Sequence, residues 1–481
     1  MNFFINGAMG IGNSGVEHAQ FYRAKRFDQV ELPYRFVFVE IVKNIHEAMD
    51  QWNLRDDQVI NMWEYFVLGQ DYAKKGLEKR VEPSEDLVVD KTNTHRKRES
   101  VTSSGLRIVE HYVKYPDKHK PDSKMLMVSN GRTEMYDDAT GEKRVMYENI
   151  DDQNRKNLIT NIHLFNENGQ HLFFRNELQL HRYFFEQLDK LYGGKSTFIV
   201  DRGEDNEVAL MLNRIAGSKV VDVIHADHLS DRDDPKNPLW NNYNEYLLTH
   251  NQLVDRIVTA TELQREDLLV DFPNKTRKFV TIPVGGVRDG IKKITRKLDK
   301  GPFKLITASR LASEKHVDYI VRAVAALKDE GFDLTFDIYG QGGESKKIKD
   351  TIEEVKAEDY VTLKGLSHDL EHVYPKYDAF ISASLSEGFG LTYIEALNAA
   401  LPVVTFDARF GASELIQDGY NGFSSDFKPN DDDYNVKQLT ESLRRLLKSD
   451  YPNIVNNTQK SIEKFQDKVI AKKWEAMINE L

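Results

Sequence analysis

Ser384-Leu385-Ser386-Glu387-Gly388-Phe389-Gly390-Leu391-Thr392-Tyr393-Ile394-Glu395-Ala396 follows Tyr377-Asp378-Ala379-Phe380-Ile381-Ser382-Ala383, an apolar segment that reads as a short buried strand. It runs into Ala396-Leu397-Asn398-Ala399-Ala400, which reads as helix. A carboxylate and a Gly388-Phe389-Gly390 turn thus sit where a parallel strand hands over to a helix. In open α/β sheets that is where ligands bind. The glycines let backbone N–H groups approach an oxygen-rich ligand, and the new helix N-terminus favours negative charge. Glu395 follows Glu387 by eight residues, about one turn into the helix. The two carboxylates can face one cleft, one at its lip and one deeper. Such a set suits a ligand carrying hydroxyls and phosphates together, as a nucleotide sugar does.

Upstream of this stretch the α/β alternation is regular. Phe303-Lys304-Leu305-Ile306-Thr307-Ala308-Ser309-Arg310, Leu334-Thr335-Phe336-Asp337-Ile338-Tyr339-Gly340 and Val361-Thr362-Leu363-Lys364-Gly365 read as strands, as does Pro402-Val403-Val404-Thr405-Phe406-Asp407 beyond it. Arg310 and Lys315 stand five residues apart, across a strand end and the following helix. Arg forks onto phosphate and Lys adds a point charge, so together they can neutralise a departing diphosphate without a metal. The bland reading is a surface ion pair with Glu314.

The N-terminal part carries the same grammar. Residues 2–6 read as a strand, Gly7-Ala8-Met9-Gly10-Ile11-Gly12-Asn13-Ser14-Gly15 as a glycine loop, and the residues from Val16 as a helix capped near Ser14 or Asn13. Gly10 to Gly15 match G-x-G-x-x-G, a weak signal alone. Glu40 offers the acid that a dinucleotide fold wants, slightly late in spacing. Residues 41–65 read as mostly helical, with Asp56-Gln58-Val59-Ile60 as a further strand candidate. Between 66 and 185 the character changes to short alternating runs broken by Asn130-Gly131, Asp137-Asp138-Ala139-Thr140-Gly141 and Asn168-Gly169. Asn-Gly between alternating runs signals hairpins, so an antiparallel β meander is expected as an insertion. From 186, four strands place polar groups at their C-terminal ends, ending near Asp201, His225, Thr261 and Gly285. His225-Ala226-Asp227-His228 suits hydroxyl binding better than a metal, for which other clustered ligands are lacking. Asp231-Arg232-Asp233-Asp234 contains D-x-D but reads as a solvated loop.

The expected organisation is α/β, with two doubly wound Rossmann-like domains facing one cleft and the inserted meander. It divides as 1–65, 66–185 (insertion), 186–297 (return to the first domain), 298–465 (nucleotide-sugar domain) and 466–481, an amphipathic helix packing back on the body. The 481 residues suffice for about two to four domains. Hydrophobic residues are 40% and charged residues 30%, a soluble globular balance. There is no cysteine, which excludes disulfides, thiolate metal sites and thiol nucleophiles. The net charge of −11 argues against nucleic acid or an anionic membrane as the main partner. No apolar run approaches the roughly 18 residues of a membrane span, and the expected location is the cytoplasm.

With these residues in view, the chain resembles the retaining glycosyltransferases of family 4 with the GT-B fold. The marks are Glu387 and Glu395 in E-x7-E, the Arg310/Lys315 pair and the glycine loop. Within that family Ser14-Gly15-Val16-Glu17-His18-Ala19-Gln20-Phe21-Tyr22-Arg23-Ala24, His225-Ala226-Asp227-His228, Leu239-Trp240-Asn241-Asn242-Tyr243 and Leu305 to His316 are similar to GtfA-type transferases, which start O-glycosylation of serine-rich repeat adhesins. The resemblance covers most of the chain and is weakest over 66–185. It implies a UDP-sugar donor, UDP-GlcNAc or UDP-glucose, and no metal or other cofactor. Ser14 and Gly15 would contact the donor phosphate side and His225 the sugar, at its 6-hydroxyl. Arg310 and Lys315 would bind the diphosphate. Glu387 and the amides of Gly388, Phe389 and Gly390, with Leu391, would hold the sugar, and Glu395 the ribose. The base would rest near Gly340 and Leu366. The acceptor would be Ser or Thr of a repeat protein. A GtfB-type co-subunit, a homo- or hetero-oligomer and peripheral membrane association would follow.

Three other classes fit part of the pattern. An NAD-type oxidoreductase explains Gly10 to Gly15 and Glu40 but not the C-terminal set. A non-catalytic binding subunit would have no need of intact donor residues. A wall-teichoic-acid transferase shares the general plan, β insertion included, and differs only in acceptor.

Overall fold

The computed structural model describes all residues except 13, 14, 90–95, 118, 119, 121, 123, 125, 151–157, 213, 232–238, 291, 292, 297, 299 and 368. The chain forms two compact units. The first comprises Met1–Gln20, Leu32–Val223 and Tyr246–Asp255; the second comprises Phe21–Glu31, Ile224–Glu245 and Arg256–Leu481.

In the first unit, Asn2–Asn6 lies between Thr197–Val200 and Tyr34–Phe38, with Lys219–Ile224 and Val59–Asn61 outside them. The pairings are parallel. Phe3, Phe4, Ile5, Phe198 and Ile199 are fully buried, as expected for strands covered on both faces. Asp56–Gln58, part of the strand candidate near 56–60, is instead a 3-10 turn, and the strand begins at Val59.

The insertion is a seven-stranded sheet from Ser84 to Asn176 in which every strand pairs with its sequence neighbours. Ile108, Met135, Val145, Tyr147, Ile162 and Leu164 are buried on one face. The helix Met62–Leu68 covers it, with Trp63 at 5.2 Å from Tyr147. Asn168 and Gly169 both have positive φ (50° and 77°), the conformation that a two-residue hairpin turn with right-handed strands requires.

Asn130-Gly131 is a correction. It makes no hairpin but lies inside the strand Leu126–Asp137. His111 pairs with Arg132 and Tyr112 with Asn130, so Gly131 is the extra residue of a bulge. The Asn130 side chain accepts from Arg132 N at 3.2 Å and donates to Thr133 Oγ1 at 2.7 Å. Asn-Gly chemistry serves a bulge as well as a turn.

The second unit is built on six parallel strands. Their order is Val361–Gly365, Leu334–Tyr339, Phe303–Ala308, Ala379–Ile381, Val403–Phe406 and Gly422–Ser425. Order reverses beside Phe303–Ala308, the position where a doubly wound sheet leaves a crevice at its carboxyl ends. The C-terminal helix Asp467–Asn479 buries Trp474 against Phe27 at 5.7 Å, and Tyr22 donates to Asp467 at 2.7 Å. No helix among the described residues is long and apolar enough to cross a membrane.

Candidate active site

The strand Ala379–Ile381 is only three residues long, so Ser382 to Gly390 run as loop over the carboxyl edge of the second unit's sheet. Gly390 caps the helix Leu391–Asn398. Glu387 is fixed through its backbone: its N–H donates to Arg409 O at 3.2 Å, and its carbonyl accepts from Phe410 N at 2.6 Å and Gly411 N at 2.8 Å. The backbone is thereby held without using the side chain.

Lys315 reaches this loop from the turn Ser313–Lys315 that follows the strand Phe303–Ala308. Its Nζ donates to Glu387 Oε1 at 2.5 Å and to Ser384 Oγ at 3.2 Å. Both partners of the ion pair are largely buried, so the cation and carboxylate orient each other beside the helix N-terminus. Arg310, in contrast, is 71% exposed and donates to Glu314 at 3.0 Å. The bland surface pair is therefore present in the structure. Such exposed pairs are weak, so Arg310 can exchange Glu314 for a diphosphate at little cost.

His316 sits immediately after Lys315 in the left-handed region (φ 41°, ψ 45°) and stacks on Tyr319 at 4.5 Å. That conformation turns the chain from the Lys315 turn into the helix Val317–Asp329. A β-branched residue resists it by about 1–2 kcal/mol. His316→Val is expected to lose about that much stability and to reduce turnover. His316→Asn and His316→Gly should stay within about 1 kcal/mol of wild type. Thermal denaturation and donor turnover check both. Equal behaviour of all three variants would remove the backbone role.

Glu395 lies in the helix Leu391–Asn398 and accepts from Tyr374 Oη at 3.2 Å. Burial pushes its carboxyl up to about 7, against the Tyr374 hydrogen bond and with help from the Glu371 charge. Glu395 is nonetheless solvent-exposed, so water offsets part of that desolvation and the rise is smaller than full burial gives. With its pKa raised above 4.5, the folded protein binds more protons than the unfolded chain between about 4.5 and 7. This group's contribution to stability is therefore fullest below that window and declines as pH rises through it. A ligand hydroxyl donates to the ionised form. UDP affinity should thus rise with pH through the window, by at most about tenfold per pH unit, with proton release on binding. Calorimetry in buffers of different ionisation enthalpy measures this, and Glu395→Gln should abolish the proton release. Persistent release in that variant would assign it to another group.

His225 follows the strand Lys219–Ile224. Its carbonyl faces Gly388 so closely that a Cβ there would lie 2.3 Å from His225 O. The two segments pack backbone to backbone, which only glycine at 388 permits. His228 is buried and stacks on Phe410 at 5.7 Å. Gln264 donates to Ala226 O at 2.7 Å, holding the His225–His228 turn. Among the described residues, no group of three or more His, Asp or Glu is arranged to hold a metal.

Gly340 N donates to Gly365 O at 2.8 Å, tying together two loops at the carboxyl edge of the sheet. Leu366, next along, is 54% exposed, an apolar side chain open to a planar ligand. Phe389 instead is buried, its ring at 5.8 Å from Phe465 and its carbonyl packed against Gly411. The second unit brings together Lys315, Glu387, Gly388 and His225. Gly15 opens the helix Gly15–Gln29, which begins in the first unit. Ser14, and Arg232, Asp233 and Asp234 of the D-x-D loop, lie outside the described residues.

Sequence reasoning misses Ser384, Tyr374, Gln264 and Arg409. Ser384 belongs to the stretch around Glu387, and its place before a loop glutamate is the one signal it carries. The others reach the site through partners distant in sequence, and no local pattern marks them.

Residues 290–465 match the family Glycosyl transferases group 1. The chain is 31% identical to the UDP-N-acetylglucosamine–peptide N-acetylglucosaminyltransferase GtfA subunit of Streptococcus gordonii, over 87% of this chain and 86% of that protein. The pneumococcal O-GlcNAc transferase GtfA, crystallised with UDP and GlcNAc, is similar with a TM-score of 0.72 and 26% identity, covering 100% of this chain and 98% of that one. A chain of a GtfA/B complex matches with a TM-score of 0.73 and 25% identity, over 100% and 99%.

Proposed function

This chain belongs to the GtfA subunits of UDP-N-acetylglucosamine–peptide N-acetylglucosaminyltransferases, and from that premise we propose that it moves GlcNAc from UDP-GlcNAc to Ser or Thr hydroxyls of a serine-rich repeat adhesin, as the first step of that adhesin's glycosylation. The observation that carries this is Lys315 held at 2.5 Å from Glu387 at the end of a parallel strand. There one cation can meet a leaving diphosphate while one carboxylate meets sugar hydroxyls. The fold is GT-B, and the chain is a UDP-sugar-dependent glycosyltransferase.

The donor C1–O bond breaks with its electron pair going to UDP. Lys315, joined by Arg310 after release from Glu314, stabilises the growing phosphate charge. The acceptor hydroxyl oxygen bonds to C1 from the same face, and its proton passes to the leaving phosphate oxygen. The anomeric configuration is retained without an enzyme nucleophile. Glu387 and the backbone of Gly388, Phe389, Gly390 and Leu391 hold the sugar, and His225 its 6-hydroxyl. Glu395 holds the ribose, Gly340 and Leu366 flank the base, and Ser14 and Gly15 serve the phosphate side. No metal takes part. A GtfB-type co-subunit holds the acceptor, a reading that the likeness to a GtfA/B complex supports. The protein works in the cytoplasm, at the membrane periphery, as a family 4 enzyme.

Transfer assays with UDP-GlcNAc and UDP-glucose, a serine-rich repeat peptide and EDTA test this. Transfer of GlcNAc alone in EDTA is the expected result. Turnover onto teichoic acid but not peptide would overturn the acceptor. Absence of donor turnover with peptide, co-subunit and metal all present would overturn the enzyme assignment.

A further inference from the structure

The geometry points to the helix Glu262–Asp271 as the positioning element of the sugar pocket, holding both of its walls through Gln264 and Asp267, and this rests on the function proposed above. Thr261 caps the helix by accepting from Gln264 N at 3.2 Å. The Gln264 side chain, 1% exposed, donates to Ala226 O at 2.7 Å and so fixes the turn that carries His225. One helical turn on, on the same face, Asp267 accepts from Arg409 Nη1 at 2.7 and 2.6 Å.

Arg409 is the residue whose carbonyl accepts from Glu387 N, and its neighbours Phe410 and Gly411 both donate to Glu387 O. The two walls also touch each other. His225 O abuts Gly388, and the Phe410 ring lies parallel to His228 at an 18° tilt. One helix therefore sets where His225 and Glu387 stand relative to a bound pyranose. Gln264 acts through the turn that carries His225, and Asp267 and Arg409 through the backbone that holds Glu387.

Arg409 Nη1 reaches both Asp267 oxygens, so a lysine ammonium can supply the same donor and charge. Arg409 is 45% exposed and Asp267 21%. A pair so open to water adds little to global stability, which leaves positioning as its contribution.

The variants are Asp267→Asn, Arg409→Met and Arg409→Lys in the full chain. Hydrogen exchange at the amides of Glu387, Phe410 and Gly411 is read without ligand. Exchange about tenfold faster in Asp267→Asn and Arg409→Met, with melting temperatures close to wild type, is expected. UDP affinity should stay within about twofold, while kcat/KM for UDP-GlcNAc falls by about tenfold or more, since displacements below 1 Å already weaken aligned chemistry. Arg409→Lys should restore most of both. Unchanged exchange at these amides would overturn the inference. So would equal losses of UDP and UDP-GlcNAc affinity accompanied by a lowered melting temperature, which would mark a general structural contact. Wild-type protein that binds no UDP-GlcNAc would instead overturn the proposed function, while the exchange data would still decide the role of the helix.

Discussion

Lys315→Ala is expected to lower donor turnover by about 10²–10³-fold, the usual cost of removing one preorganised group that faces developing charge. The ammonium is held at 2.5 Å from Glu387 and 3.2 Å from Ser384. It needs no reorganisation when the diphosphate begins to leave. The negative charge on UDP grows between ground state and transition state, so the loss should appear mainly in kcat, with a smaller change in KM. Lys315→Arg should recover part of the rate because the charge remains while its position shifts. Removing the cation also strands Glu387, so stability must be tracked beside rate; Lys315→Ala with Glu387→Gln relieves that strain without restoring turnover. Steady-state kinetics with UDP-GlcNAc and thermal melting separate the effects. Near-normal kcat in Lys315→Ala would remove Lys315 from the mechanism.

Lys315 and Glu387 are legible in the sequence because each is marked by its local surroundings. Lys315 lies five residues past Arg310 at a strand end, and Glu387 stands before a Gly-Phe-Gly turn; strand, loop and helix follow from period and composition over short windows. The alternation of the insertion is equally legible, since antiparallel neighbours in sequence are neighbours in space. The partnership of Lys315 with Glu387 spans 72 residues, and that of Arg409 with Asp267 spans 142. No periodicity encodes such pairs. They arise only when strand order brings distant loops to one edge of the sheet. Asn130-Gly131 misleads for a different reason. The same dipeptide chemistry satisfies a turn and a bulge, and pairing with the strand Leu106–Pro116 decides between them. For Arg310 the ion pair with Glu314 is what the structure contains, and the proposed diphosphate role requires that weak pair to be displaced.

Gly388→Ala should be the second large effect, and it should be catalytic more than global. A Cβ at 388 would lie 2.3 Å from His225 O and 3.2 Å from its carbonyl carbon. That obstacle is backbone, so no side chain can swing away. One wall must move, either the His225 turn held by Gln264 or the Glu387 loop held by residues 409–411. Either movement separates His225 from Glu387 by a few tenths of an ångström to about 1 Å, and a displacement of about 1 Å can cost about 10²-fold in rate. The overpacking itself should cost about 1–3 kcal/mol, softened because the loop lies at the sheet edge rather than in the core. The expected pattern is a kcat/KM for UDP-GlcNAc lowered about 10²-fold, UDP affinity retained, and a melting temperature lowered modestly. On the roles proposed above, UDP should be retained because Glu395 lies one turn into the helix beyond Gly390 and Gly340 follows another strand. Loss of UDP and UDP-GlcNAc binding in equal measure would mean that the strain spreads through the whole loop. Wild-type kinetics would mean that the contact between His225 and Gly388 opens in the working enzyme.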